Sequence, residues 1–129
     1  MATMQVAVVT PEREVHVVED ASFVLVRTLS GDMGILPGIA PQIAALGTGA
    51  VKIESGKQVR QMLVDGGFLI VKDNRCTILA EYAVLPEEVE ASAVSERITE
   101  LRAQRGSEDD RATRRELARN EALQALISS

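Results

Sequence analysis

Aromatic residues are almost absent from this chain, which has no tryptophan, one tyrosine and two phenylalanines in 129 residues. Phe23, Phe68 and Tyr82 are too few to form the stacking platform on which single-stranded nucleic acids are held. Positive charge is also in deficit, with 14 Lys and Arg against 19 Asp and Glu and a net charge of -5. A nucleic-acid binder needs a basic surface to displace counterions, so that class is excluded. Cys76 and His16 are each the sole residue of their type. An internal disulfide and a multi-cysteine metal site are therefore impossible, and few routes to nucleophilic chemistry remain. Cys76 sits in the alternating run Cys76, Ile78, Ala80 and reads as a small core residue. Apolar runs are short, such as Phe68 to Val71, or Ala40 to Leu46 with Pro41 and Gln42 inside it. None approaches a membrane span, and no signal-peptide pattern opens the chain. A soluble, cytoplasmic protein without cofactor or metal is expected.

Glycine and proline are unevenly placed. Eight of the nine glycines and three of the four prolines precede residue 86, and every aromatic residue does too. This shift in composition predicts a turn-rich β half, residues 1–84, and a helical half, residues 85–129. In the first half, Gln5 to Val9, Val15 to Val18, Ser22 to Leu29, Ala50 to Glu54, Val59 to Val64, Phe68 to Lys72 and Cys76 to Ala80 read as short strands. Ser55-Gly56-Lys57 and Asp73-Asn74 read as tight turns, and Asp65-Gly66-Gly67 breaks the strand before it as a bulge or a switch between sheets. Many short strands at this spacing predict an antiparallel β-sandwich or flattened barrel.

In the second half, Pro86 suits a first helical position, with Glu87 and Glu88 at the positive end of the helix dipole. Ala91, Val94, Ile98 and Leu101 then make one apolar stripe. Gly106 is the expected stop, and Ser107-Glu108-Asp109-Asp110 the expected start of a second helix. That helix carries a stripe of Ala118, Ala122 and Ala125 flanked by Leu117, Leu123 and Leu126. An antiparallel helical hairpin appended to the β half follows, giving a segregated α+β fold.

No catalytic set assembles. His16 lies on a strand with no nucleophile motif, and Glu87, Glu88 and Glu90 fall where solvent would keep their pKa values ordinary. The run Ser30 to Gly38 lacks the Gly-Lys-Ser/Thr ending of a phosphate loop and reads as a structural turn. Between residues 111 and 119, on the second helix, four arginines, Arg111, Arg114, Arg115 and Arg119, stand against one acid, Glu116. They are either solvent-facing or a docking face for an acidic partner, since guanidinium forks suit carboxylates.

The ordered set Val8-Val9-Thr10-Pro11, Gly31-Asp32-Met33-Gly34-Ile35-Leu36-Pro37-Gly38 with Pro41, Asp65-Gly66-Gly67-Phe68 and Thr77-Ile78-Leu79-Ala80, followed by a helical pair, resembles the epsilon subunit of bacterial and chloroplast F-type ATP synthases. The resemblance spans essentially the whole chain and favours the bacterial form. It implies a non-catalytic rotor subunit on the cytoplasmic face of the bacterial plasma membrane, bound to the gamma subunit and the c-ring. It implies coupling of proton flow to ATP synthesis, and a hairpin that inhibits hydrolysis by reaching the catalytic beta subunit. By the same resemblance Gly31, Asp32, Ile35, Leu36, Pro37 and Gly38 would contact gamma or the c-ring, and Arg111, Arg114, Arg115 and Arg119 would dock on the catalytic head. The chain departs from the family in having Ile39, where a histidine is common after Leu-Pro-Gly. It departs again from the nucleotide-binding motif of some members, keeping Glu90 but having Ala93 in place of arginine, with Glu121 and Ala125 where further arginines would stand. No ATP binding is therefore expected. The alternative is a stand-alone ligand-binding β-sandwich module, which would require a pocket of convergent polar groups.

Overall fold

The computed structural model describes residues 2–107 and 111–128. Eight strands come first: β1 (Met4–Val9), β2 (Glu14–Ala21), β3 (Phe23–Thr28), β4 (Gly31–Ile35), β5 (Gln42–Ala45), β6 (Thr48–Ser55), β7 (Gln58–Lys72) and β8 (Arg75–Val84). A single 3₁₀ turn (Pro86–Glu88) leads to helices α1 (Ala91–Ser107) and α2 (Arg111–Ser128). The ladder runs β2-β1-β8-β7-β6-β3-β4, with β5 added to the far half of β7. It is not closed, and its long strand β7 serves both layers of a sandwich.

Alternation builds the core. Val6 and Val8 of β1, Val24 and Val26 of β3, Val51 and Ile53 of β6, and Leu69, Val71, Cys76 and Ile78 of β7 and β8 all point inward and are buried. β-branched residues at every second position suit this pleated surface. Burial pushes the Cys76 thiol up to about 12, as expected of a core residue. The Gly56 turn (φ +61) and the Asp73-Asn74 turn (φ 52 and 59) are where the sequence places them. Two consecutive left-handed residues match the twist of the hairpin they close.

Several expectations need correction. The Ser30–Gly34 turn is instead mostly strand: β4 pairs residue by residue with β3, Val24 opposite Ile35 and Thr28 opposite Gly31. Its glycines hid it, yet Gly34 has a use, because a Cβ there would lie 3.0 Å from the Phe23 ring. Strand β5 was not expected either. Asp65-Gly66-Gly67 is the expected switch between sheets but not a strand end, since β7 continues through it, pairing β6 before and β5 after. Positive φ at Gly66 (+76) and Gly67 (+112) lets the strand turn from one layer to the other without losing β8 as neighbour. One pairing, β1 with β8, is parallel, an exception in a fold expected to be antiparallel.

The first helix does not begin at Pro86. That residue opens only the 3₁₀ turn, and Val89 is extended (φ -124, ψ 151) before α1 starts. The Glu88 carboxylate accepts the Leu85 N–H at 2.8 Å and pairs with Arg13 at 2.6 Å. Glu87 pairs with Arg60, so this segment is tied to the β half. α1 runs one residue past the expected stop at Gly106, while Glu108, Asp109 and Asp110 lie outside the described residues. Val94, Ile98 and Leu101 are buried as expected, but Ala91 is exposed. On α2 the buried residues are Leu117 and Leu123, and Ala118 and Ala125 face outward. The leucines win because they carry far more apolar area to a seam that also takes Leu63 and Val84 from the sandwich.

Candidate functional site

The expected partner residues around the β4 strand do not share one surface. Ile35 is 0% exposed and belongs to the core, so it is no contact residue in this state. Asp32 pairs at 3.5 Å with Arg27 on the neighbouring strand. Leu36 is exposed, and Gly38 takes a left-handed conformation (φ +78). The Gly38 N–H donates to Asn74 Oδ1 at 3.0 Å, and Asn74 Nδ2 donates to the Thr3 carbonyl at 2.7 Å. One asparagine thus pins the Leu36-Pro37-Gly38 turn beside the first residues of the chain.

The four arginines of α2 divide into two groups. Arg115 and Arg119 point at the sandwich. Arg119 Nε lies 2.6 Å from Asp65 Oδ2, and Arg115 Nε 3.8 Å from the same oxygen. Arg115 also pairs with Glu81, and the Arg119 guanidinium stacks 4.2 Å above the Tyr82 ring. Glu81 raises the Arg115 pKa further above its already high ordinary value. Arg111 and Arg114 are exposed on the first turns of α2 and, with Leu29, Gly47 and Thr48, line an open cleft. Between the helices, Glu116 accepts two hydrogen bonds from Arg97, which hold its carboxyl below the usual range. Glu87 and Glu88 are exposed, as their sequence position suggests, but each meets an arginine. Arg60 and Arg13 hold them below the carboxylate range, in that order.

A third surface was missed by sequence reasoning. Val9, Leu79, Phe68 and Ala45 stand side by side across β1, β8, β7 and β5 on the outward face. The next row holds Ala7, Thr77, Ile70 and Ile43. Phe68 is 55% exposed and Ile43 74%, so this face is apolar and uncovered by the hairpin. The signal for it was present: Phe68-Leu69-Ile70-Val71 is apolar at both parities, Leu69 and Val71 for the core and Phe68 and Ile70 for the outward face.

The described residues contain no group of three or more His, Cys, Asp or Glu side chains able to hold a metal ion. Glu90 and Ala93 are exposed at the start of α1, and Glu121 and Ala125 are exposed on α2. No helix among the described residues is long and apolar enough to cross a membrane.

The chain is thus a β-sandwich with an outward apolar face and an appended helical pair that rests on it through Arg115 and Arg119. The family model for the β-sandwich domain of the ATP synthase delta/epsilon chain matches residues 3–86. The ATP synthase epsilon chain of Bacillus velezensis is 38% identical over 128 residues, covering 98% of this chain and 96% of that protein. That of Alkalihalophilus pseudofirmus is 43% identical over 100 residues, covering 75% of this chain and 74% of its own length. Among solved structures, a chain of the Euglena gracilis mitochondrial ATP synthase (OSCP/F1/c-ring) superposes with a TM-score of 0.81 at 26% identity, covering 98% of this chain and 82% of that one. A chain of the Tetrahymena thermophila mitochondrial ATP synthase central stalk and c-ring superposes with a TM-score of 0.58 at 25% identity, covering 70% and 74%. The chain belongs to the family of ATP synthase epsilon chains, and its fold is that of a central-stalk subunit.

Proposed function

We propose that this subunit is a non-catalytic coupling element of the rotor, at the cytoplasmic face of a bacterial plasma membrane. The outward apolar face of β1, β8, β7 and β5 packs against the gamma subunit. The exposed Leu36-Pro37-Gly38 turn, steadied by Asn74, bears on the c-ring. The hairpin restrains ATP hydrolysis when its basic face, Arg111, Arg114, Arg115 and Arg119, reaches an acidic surface of the catalytic beta subunit.

The observation that carries this reading is the uncovered apolar face. Exposed Ile43, Phe68 and Leu79 gathered on one face of the sandwich mark a protein interface. One structural neighbour comes from an OSCP/F1/c-ring assembly and the other from a central stalk and c-ring, which agrees with it. Deleting residues 86–129 is expected to leave assembly with the complex intact and to raise its ATP hydrolysis. Unchanged hydrolysis under all conditions would remove the inhibitory role, and failure to assemble would remove the assignment of the β half as the coupling element. Regulation does not run through nucleotide, because Ala93, Glu121 and Ala125 supply no cation for a phosphate chain. Isothermal titration of the subunit with ATP is expected to show no heat of binding, and micromolar affinity would refute this.

A further inference from the structure

The carboxylate of Asp65 is 2% exposed, although it sits on the outer side of β7. The hairpin covers it. Its two oxygens are each engaged: the Thr48 hydroxyl donates to Oδ1 at 2.6 Å, and Arg119 Nε donates to Oδ2 at 2.6 Å. Burying an ionised carboxylate is costly unless a cation and hydrogen bonds accompany it. Arg119 supplies that cation and is itself supported from below by the Tyr82 ring. Glu81 holds Arg115 alongside. The backbone leaves space for this second pair. A Cβ at residue 66 would lie 2.7 Å from Arg115 Nη2 and 2.8 Å from Glu81 Oε2, so glycine there is what lets the two groups meet.

We propose that Asp65, Glu81 and Tyr82 form an internal receptor for Arg115 and Arg119 that latches the hairpin onto the sandwich and withholds these two arginines from any acidic partner. This rests on the reading that the arginine face of α2 inhibits hydrolysis. A guanidinium held over Tyr82 and against Asp65 cannot reach a carboxylate away from the sandwich while the hairpin stays docked. The docked and reaching states therefore compete for the same two side chains. The balance between them is set by charge on the sandwich, and the competition shifts only as far as the two surfaces differ in affinity.

The consequence has a sign opposite to that of removing the arginines. Asp65→Asn keeps the side-chain volume and a partner for Thr48 but takes away the charge that holds Arg119. The undocked hairpin population should rise on the order of tenfold or more, the loss expected for a buried charge-assisted hydrogen bond. Spin labels at Lys57→Cys on the sandwich and Ala125→Cys on α2, both exposed positions, report the separation in the full chain. A longer second distance should grow in Asp65→Asn and grow further in Asp65→Asn/Glu81→Gln. Hydrolysis by the ATP synthase reconstituted with these variants should fall below that of the parent. Glu81→Arg, at an exposed position, sets a cation against Arg115 and tests the latch independently should Asp65→Asn fail to fold. Distances unchanged in these variants would overturn the latch. A released hairpin with unchanged or faster hydrolysis would leave the latch standing and overturn the inhibitory reading on which its role depends.

Discussion

Arg97 on α1 grips Glu116 on α2 through two parallel hydrogen bonds, Nε to Oε1 at 2.7 Å and Nη2 to Oε2 at 2.9 Å. This forked pair fixes how the two helices sit against one another, which their modest apolar seam would specify less well. It belongs to a wider pattern, in which the carboxylates Glu116, Glu87 and Glu88 each meet an arginine from another element.

Acid should therefore loosen the hairpin before the sandwich. All three carboxyls have pKa values lowered from 4.5 by their arginine partners. A group with a depressed folded-state pKa contributes stability that is present above the unfolded value and lost as pH falls through the folded one. Helical protection against amide exchange should stay flat down to about pH 5 and decline below 4.5, with α1 and α2 losing it ahead of β6 to β8. Equal loss in helices and strands would show that these pairs do not hold the hairpin.

Leu101→Ala should detach the helices more than any surface change. Leu101 is 1% exposed at the centre of the seam with Leu117, Leu123, Leu63 and Val84. Such a truncation costs about 2–5 kcal/mol. Fluorescence or circular dichroism melts should then show a helical transition at lower temperature while the β transition remains, and a single unshifted transition would contradict this.

Gly67→Ala should damage the sandwich itself. A Cβ at residue 67 would strike the Leu79 carbonyl oxygen, and φ of +112 is a conformation that side chains resist. The backbone conformation alone costs about 1–3 kcal/mol, before the clash is counted. Chemical denaturation should show the loss directly, whereas Gly56→Ala, with open space around it, should cost less.

Phe68→Ser should separate stability from assembly. Phe68 is exposed in the subunit alone, so denaturation midpoints should move little, by about 0.5 kcal/mol or less. If gamma covers this face, an aromatic at its centre contributes as an anchor, and affinity should drop by roughly thirty-fold. Co-sedimentation with a gamma-containing subcomplex measures it, and undiminished binding by Phe68→Ser and Ile43→Ser alike would move the interface elsewhere.

Much of this molecule is legible in local pattern. Val6 and Val8, Val51 and Ile53, and Cys76 and Ile78 alternate with exposed or half-exposed neighbours, so their strands and their inward faces can be read directly. Val94, Ile98 and Leu101 mark the buried stripe of α1 in the same way. What escaped were elements whose identity depends on distant partners. β4 reads as a turn because Gly31 and Gly34 suit turns, and only its pairing with β3 makes it a strand. β5 is four residues long and exists through β7. Pro86 is a good helix opener, but Arg60 and Arg13 draw Glu87 and Glu88 to the sandwich and leave a lone 3₁₀ turn.

The candidate surfaces divide in the same way. Sequence alone determined the segregated β and helical halves and the basic start of α2, because composition and periodicity are local properties. Tertiary structure decided which basic residues are already occupied. Asp65 and Arg119 are 54 positions apart, and no periodicity links them. They meet because β7 bends at Gly66 and Gly67, the hairpin folds back over that bend, and a buried carboxylate needs a cation.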